Sequence, residues 1–279
     1  MRTNLFGCRH LLAALTLCLA PLQTQGSEPA TGLMQGLGNA RYHRLSSTIL
    51  QRDFHIFVRL PETYSELKEA EFPTVYLLDG GITFPLLSGY YRYLSLAGDV
   101  PDAILVGIGY GTELLEEGNF RGTDFTAASS ERAHYGGAPR FQAVLRKELL
   151  PLVETEYRAD AARRVLFGQS LGGQFVLYTA QTDPGLFYGH IASNPALHRN
   201  LPFFLESIDS GAEGGKLYVS SAEYDDDRFR VPARQWMKHW TEQAVTPWEL
   251  ETQILKGHNH FSAAPAAFRR GMSWIFGQP

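Results

Sequence analysis

Five consecutive residues, Gly168-Gln169-Ser170-Leu171-Gly172, set a hydroxyl between two glycines, directly after the apolar run Val165-Leu166-Phe167 and ahead of a helix-compatible segment. That order suggests a strand, a sharp turn and a helix with the serine at the apex. The glycines two residues either side remove Cβ atoms that would crowd so tight a bend. A serine held this way is suited to attack a carbonyl carbon. Its hydroxyl is a poor nucleophile at its own pKa, so it needs a general base within hydrogen-bond reach, and that base needs a partner to orient it. The bare Gly-x-Ser-x-Gly pattern also arises by chance, but the flanking strand and helix patterns make coincidence the weaker reading.

Of the nine histidines, those after the serine are His190, His198, His239, His258 and His260. Only His258 and His260 fall in a loop after the last expected strand and before a final helix, where a base for a serine of this kind belongs. A His-x-His pair could instead chelate a metal, but no third ligand is evident. His190 lies within an expected strand and reads as a core residue. The acid should follow the penultimate strand, where Glu223-Tyr224-Asp225-Asp226-Asp227 offers four carboxylates. A solvated acidic turn capping the next helix accounts for most of them. Asp225 is preferred for the histidine, with Glu223 and Asp226 as alternatives. The tetrahedral intermediate of acyl transfer needs donors for its oxyanion. The backbone N–H of Leu171 and, from Asp79-Gly80-Gly81, that of Gly81 are the candidates; an ordinary Gly-Gly turn is the plainer alternative.

These groups must be carried by a frame. The runs Pro73–Leu78 and Ala103–Ile108 are continuously apolar and bounded by Gly, Pro and Asp, as suits strands buried on both faces. Tyr42–Leu50 and His55–Leu60 read as an opening antiparallel pair. Residues 139–157 form an amphipathic helix carrying Phe141, Leu145, Leu149, Leu152 and Val153 on one face, which Pro151 must kink or shorten. Further strands are expected at 187–192, 216–221 and 248–254, with helices at 173–182, 230–244 and 264–276. This alternation predicts an α/β fold, a mostly parallel mixed sheet covered by helices on both faces, in one domain spanning 27–279. Segments 82–100, 111–138 and 196–214 read as the loops that set specificity.

The 25 basic and 29 acidic residues give a net charge of −4, which implies no polyanion-binding surface and no nucleic-acid partner. Arg2 and Arg9 precede the apolar run Leu11–Ala20 and the polar stretch Gln23–Ser27. The run is too short to span a bilayer and fits a secretory signal over residues 1–26, with a short membrane anchor as the rival. Both cysteines, Cys8 and Cys18, lie inside it, so the mature chain would hold neither disulfide nor thiolate. A periplasmic or secreted protein is expected.

Beyond the elbow, six segments in order resemble the esterase family of the α/β-hydrolase superfamily that includes siderophore (enterobactin-type) esterases. They are Val75–Gly80, Val106–Tyr110, Asn119–Thr126, Glu148–Pro151, Leu166–Gly173 and Lys256–Ser262 ahead of the Trp274-Ile275-Phe276 helix. The resemblance implies an α/β-hydrolase fold and an esterase acting on a small-molecule ester such as an enterobactin-like trilactone, without metal or organic cofactor. It puts the histidine on His260 and the acid on Asp225, with Arg121 and Asp124 near the substrate cleft and Arg121 as the substrate-binding residue. Departures occur at Gln169, where the family usually has histidine, and at Asn194–Arg199, where a Ser-Pro-Ser-Leu-Trp-Trp pattern is common. Losing those tryptophans removes aromatic surface for catechol rings. A feruloyl or general carboxylesterase, an acyltransferase on the same scaffold and a non-catalytic binding protein are the alternatives.

Overall fold

The computed structural model describes residue 34, residues 36–37, 40–206 and 215–277; the expected signal segment lies outside them. An eight-stranded sheet runs in the order β1-β2-β4-β3-β5-β6-β7-β8. The strands are β1 (Arg41–Ser47), β2 (Arg52–Arg59), β3 (Phe72–Leu78), β4 (Ile104–Gly109), β5 (Ala159–Gln169), β6 (Gly189–Ser193), β7 (Lys216–Ala222) and β8 (Glu249–Leu255). β2 pairs antiparallel with both β1 and β4, and every later pairing is parallel. The expected fold, an α/β-hydrolase architecture with a mixed, mostly parallel sheet, is the one observed.

The helices are α1 (Gly80–Leu96), α2 (Arg121–Asp124), α3 (Ala138–Val144), α4 (Leu150–Glu156), α5 (Leu171–Thr182), α6 (Leu201–Phe204), α7 (Asp227–Thr241) and α8 (Ala263–Phe276). Alternation along the strands sorts the core into two layers. Val75, Leu77, Val165, Phe167 and Ile191 pack with α1 and α8 on one face. Tyr76, Leu78, Leu166, Ala192 and Val219 pack with α3, α4, α5 and α7 on the other. Both faces of β3 are fully covered, which is why it reads as an unbroken apolar run. Phe167 is completely buried; truncating it to alanine should cost about 3–5 kcal/mol.

Two local outcomes differ from the sequence expectation. The segment expected as a loop at 82–100 is mostly the 17-residue helix α1, which buries Thr83, Phe84, Leu87, Ser88, Tyr91 and Leu94 at helical spacing. Its Gly80-Gly81 start and Pro85 in the second turn mask that spacing, since glycine and proline both weaken a helical pattern. The expected helix at 139–157 is present as α3 and α4 joined by a wide turn at Leu145–Leu149 with i→i+5 hydrogen bonding. That widening ends at Pro151, whose missing N–H and bulky ring cannot continue a regular ladder.

Because β3, β5, β7 and β8 are parallel, their carboxyl ends lie along one edge of the sheet. That edge collects Asp79, Ser170, Asp225 and the loop bearing His260.

Candidate active site

Ser170 links β5 to α5 with φ 60° and ψ −115°. A positive φ is costly for any residue with a Cβ and persists where the surroundings enforce it. The enforcement is visible at Gly168, where a Cβ would stand 2.3 Å from the Gly172 backbone. The Ser170 N–H donates to Ser193 O at 3.0 Å, and its carbonyl accepts from Gln174 and Ala196, both at 3.0 Å. The turn is thus tied to β6 on one side and α5 on the other.

A cleft of about 610 Å³ opens over this turn. Ser170, His260, Gln169, Gly81, Asp79 and Arg121 all line it. Its mouth carries three exposed apolar side chains, Ile82, Leu86 and Phe261.

The two candidate histidines separate cleanly. His260 lines the cleft and directs Nδ1–H to both carboxylate oxygens of Asp225, at 3.0 and 2.9 Å. The Asp225 side chain is 1% exposed. His258 instead bonds through Nδ1 with Ser262, at 3.0 Å to the carbonyl and 3.3 Å to the hydroxyl. Phe229 stacks on the His260 ring with centroids 4.5 Å apart. With Nδ1 spent on Asp225, Nε2 is the nitrogen left to exchange a proton. Nε2 and the Ser170 hydroxyl make no hydrogen bond among the described residues, a contact that in a ligand-free site commonly tightens only with substrate.

The acidic cluster divides its labour. Glu223 Oε2 accepts from the Gly257 N–H at 2.9 Å. Asp226 caps α7, accepting from the Arg228 N–H at 2.8 Å. Asp227 pairs with Arg230. Asp225 alone of the four faces the imidazole.

Leu171 is the first residue of α5 and Gly81 the second of α1. Amides in a first helical turn have no acceptor within their helix, and both helix N-termini carry partial positive charge. Gly81 lines the cleft, and Leu171 directly follows Ser170.

Arg121 stands in the cleft, as the resemblance implies, but its guanidinium grips Asp79, Nε to Oδ1 at 2.7 Å and an amine to Oδ2 at 2.9 Å. Burial alone would lower its pKa; the Asp79 charge and hydrogen bonds, together with Tyr110 and Tyr135, outweigh that and hold it above the ordinary value. Asp124 sits behind the cleft wall and does not line it. It is buried, ion-paired with Arg52 and hydrogen-bonded by the Tyr110 hydroxyl at 2.9 Å, and burial raises its pKa. Tyr110 does line the cleft, so Asp124 supports its wall from behind. His190 is buried in β6 and titrates near 3 because burial disfavours its charged form, as expected of a core residue. The stacking Phe229, the Asp79–Arg121 pair and the bonds of Gln169 were not anticipated, since none has a spacing signature.

The family model described as "Putative esterase" matches residues 47–262. The chain belongs to this esterase family. It is 34% identical over 179 residues to the ferri-bacillibactin esterase BesA of Bacillus subtilis, covering 59% of this chain and 61% of that protein. It is 25% identical over 215 residues to an apo-salmochelin esterase of Escherichia coli, covering 71% and 66%. The chain thus spans a little under two thirds of the length of these relatives. Among solved structures, an IroE-like serine hydrolase from Shewanella oneidensis superposes with a TM-score of 0.75 at 23% identity, over 85% of this chain and 80% of that one. The enterobactin and salmochelin hydrolase IroE superposes at 0.65 with 20% identity, over 86% and 95%. Both share the fold. Among the described residues no helix is long and apolar enough to cross a membrane.

Proposed function

We propose that this chain is an exported serine esterase that hydrolyses a siderophore-type ester, a trilactone of the enterobactin kind. Ser170 Oγ attacks the ester carbonyl while His260 Nε2 takes its proton. Asp225 holds the imidazole through Nδ1 and stabilises its cationic form. The oxyanion is received by the N–H groups of Leu171 and Gly81 at two helix N-termini. Collapse of the intermediate expels the alcohol, which takes the proton back from His260. Water then attacks the acyl-Ser170 ester, with His260 again as base.

The observation that carries this reading is one cleft lined by an elbow serine and a histidine that is itself bonded to a buried aspartate. The substrate class rests on the relatives, whose names specify siderophore esters. Export rests on the amino-terminal pattern of Arg2, Arg9 and Leu11–Ala20.

The deciding experiment is a hydrolysis panel comparing ferric and iron-free catecholate trilactones with simple aryl and feruloyl esters. The highest kcat/KM should fall on a trilactone. A preference for feruloyl or short aryl esters by tenfold or more would move the assignment to a carboxylesterase of another specificity.

A further inference from the structure

The main-chain carbonyl of His260 accepts two side-chain amides. Gln169 Nε2 donates to it at 2.5 Å and Asn194 Nδ2 at 3.3 Å. Gln169 is the last residue of β5 and immediately precedes Ser170; Asn194 immediately follows β6. We infer that Gln169 and Asn194 are positioning residues for His260, fixing the base to the same two strand ends that carry the serine. This rests on the catalytic reading of Ser170 and His260 given above.

Three features separate this role from ordinary loop anchoring. The loop has other ties: the Tyr224 N–H donates to His258 O at 2.9 Å and the Gly257 N–H to Glu223 at 2.9 Å. The two amides act at His260 itself. Next, Gln169 can donate to a carbonyl only with its nitrogen end, and that orientation leaves Oε1 buried without a partner among the described residues. An unpaired buried acceptor is a standing cost, so the bond to His260 is kept at the expense of stability. Last, Asn194 is 1% exposed with φ 44°, a left-handed conformation that asparagine tolerates better than most residues. Its Oδ1 accepts from the Ala222 N–H at 2.8 Å and its own N–H donates to Ser220 O at 2.9 Å. Asn194 therefore bridges the end of β7, which leads to Asp225, and the loop bearing His260.

The imidazole is thus held at two points. Asp225 fixes Nδ1 and the paired amides fix the backbone from which the ring swings. Releasing the second point leaves a base that binds its acid but samples a wider arc over Ser170. Small losses of alignment of this kind reduce turnover more than binding.

The test uses Gln169→Met, which keeps length but has no donor, Gln169→His, which restores a ring N–H, and Asn194→Asp. The last keeps the acceptor for Ala222 but sets a carboxylate oxygen against the His260 carbonyl, which also costs stability. Each is assayed for kcat and KM on 4-nitrophenyl butyrate, for the rate of fluorophosphonate reaction at Ser170, and for Tm. Gln169→Met and Asn194→Asp should each lower kcat and the labelling rate by about two- to thirteenfold or more, the range of one lost hydrogen bond. KM should stay within twofold in both, the Tm of Gln169→Met should stay within a few degrees of the parent, and Gln169→His should recover most of the loss. Unchanged kcat in both donorless variants would overturn the inference. So would a loss that follows Tm and is not recovered by Gln169→His. Ser170→Ala runs alongside: if it remains active, the catalytic reading itself fails, a result separable from either of these.

Discussion

Arg121 and Asp79 form a two-point ion pair on the cleft wall, with N–O distances of 2.7 and 2.9 Å. Asp79 precedes the Gly80-Gly81 start of α1 and itself has φ 55°. A lone carboxylate there would oppose an oxyanion held, as proposed above, by the Leu171 and Gly81 amides, and Arg121 offsets that charge. Arg121→Gln should therefore lower kcat by about ten- to a hundredfold, with a smaller change in KM, the pattern of a lost transition-state interaction. A rise in KM at constant kcat would instead mark Arg121 as a plain substrate contact.

Gly80 and Gly81 should separate folding from activity. A Cβ on Gly80 would lie 2.4 Å from the Ile108 backbone nitrogen, whereas one on Gly81 would meet nothing within 4 Å. Gly80→Ala should destabilise the protein by at least about 2 kcal/mol. Gly81→Ala should melt within a few degrees of the parent yet lose about tenfold in kcat/KM, because its methyl crowds the carbonyl site. Thermal melts beside steady-state kinetics decide the point, and full activity in Gly81→Ala would remove Gly81 from the oxyanion site.

The three candidate acids give an ordered series. Asp225→Asn should cost about 10³- to 10⁴-fold in kcat, since an amide no longer fixes the imidazole tautomer. Glu223→Gln retains an acceptor for Gly257, and Asp226→Asn retains a helix cap. Both should remain within about threefold of the parent. Equal losses at Glu223 or Asp226 would contradict the assignment of Asp225.

Burial of His190 links stability to acid. Its pKa falls from 6.5 to about 3 on folding, so between those values the unfolded chain binds a proton that the native chain does not. This contribution is fully present above pH 6.5 and is lost as pH falls toward 3. In melts from pH 7 to pH 4, His190→Leu should show a shallower fall in Tm than the parent. An unchanged slope would mean the native protein accommodates the charged ring.

The sheet was legible from sequence because strands buried on both faces leave continuous apolar runs, as at Val75–Leu78, and amphipathic or exposed pairs leave alternation, as at β1 and β2. Ser170 was legible because its turn requires glycine at Gly168. Helix α1 was hidden by Gly80, Gly81 and Pro85, each a poor helix former held helical by burial of Phe84, Leu87 and Tyr91 against the sheet. Local pattern favoured Asp225 but left Glu223 and Asp226 open, since carboxylates within four residues differ only in where the turn aims them. The roles of Gln169 and Asn194 depend on one carbonyl 91 and 66 residues away. Their departure from the family pattern marked the positions without revealing the contact.

Ser170 Oγ is the proposed nucleophile of ester hydrolysis. The measurement that decides it is kcat for the folded Ser170→Ala variant on the best substrate of the ester panel. Turnover should fall by about 10⁴-fold or more, leaving only what binding and the oxyanion donors supply. Activity within tenfold of the parent would show that some other group attacks the ester.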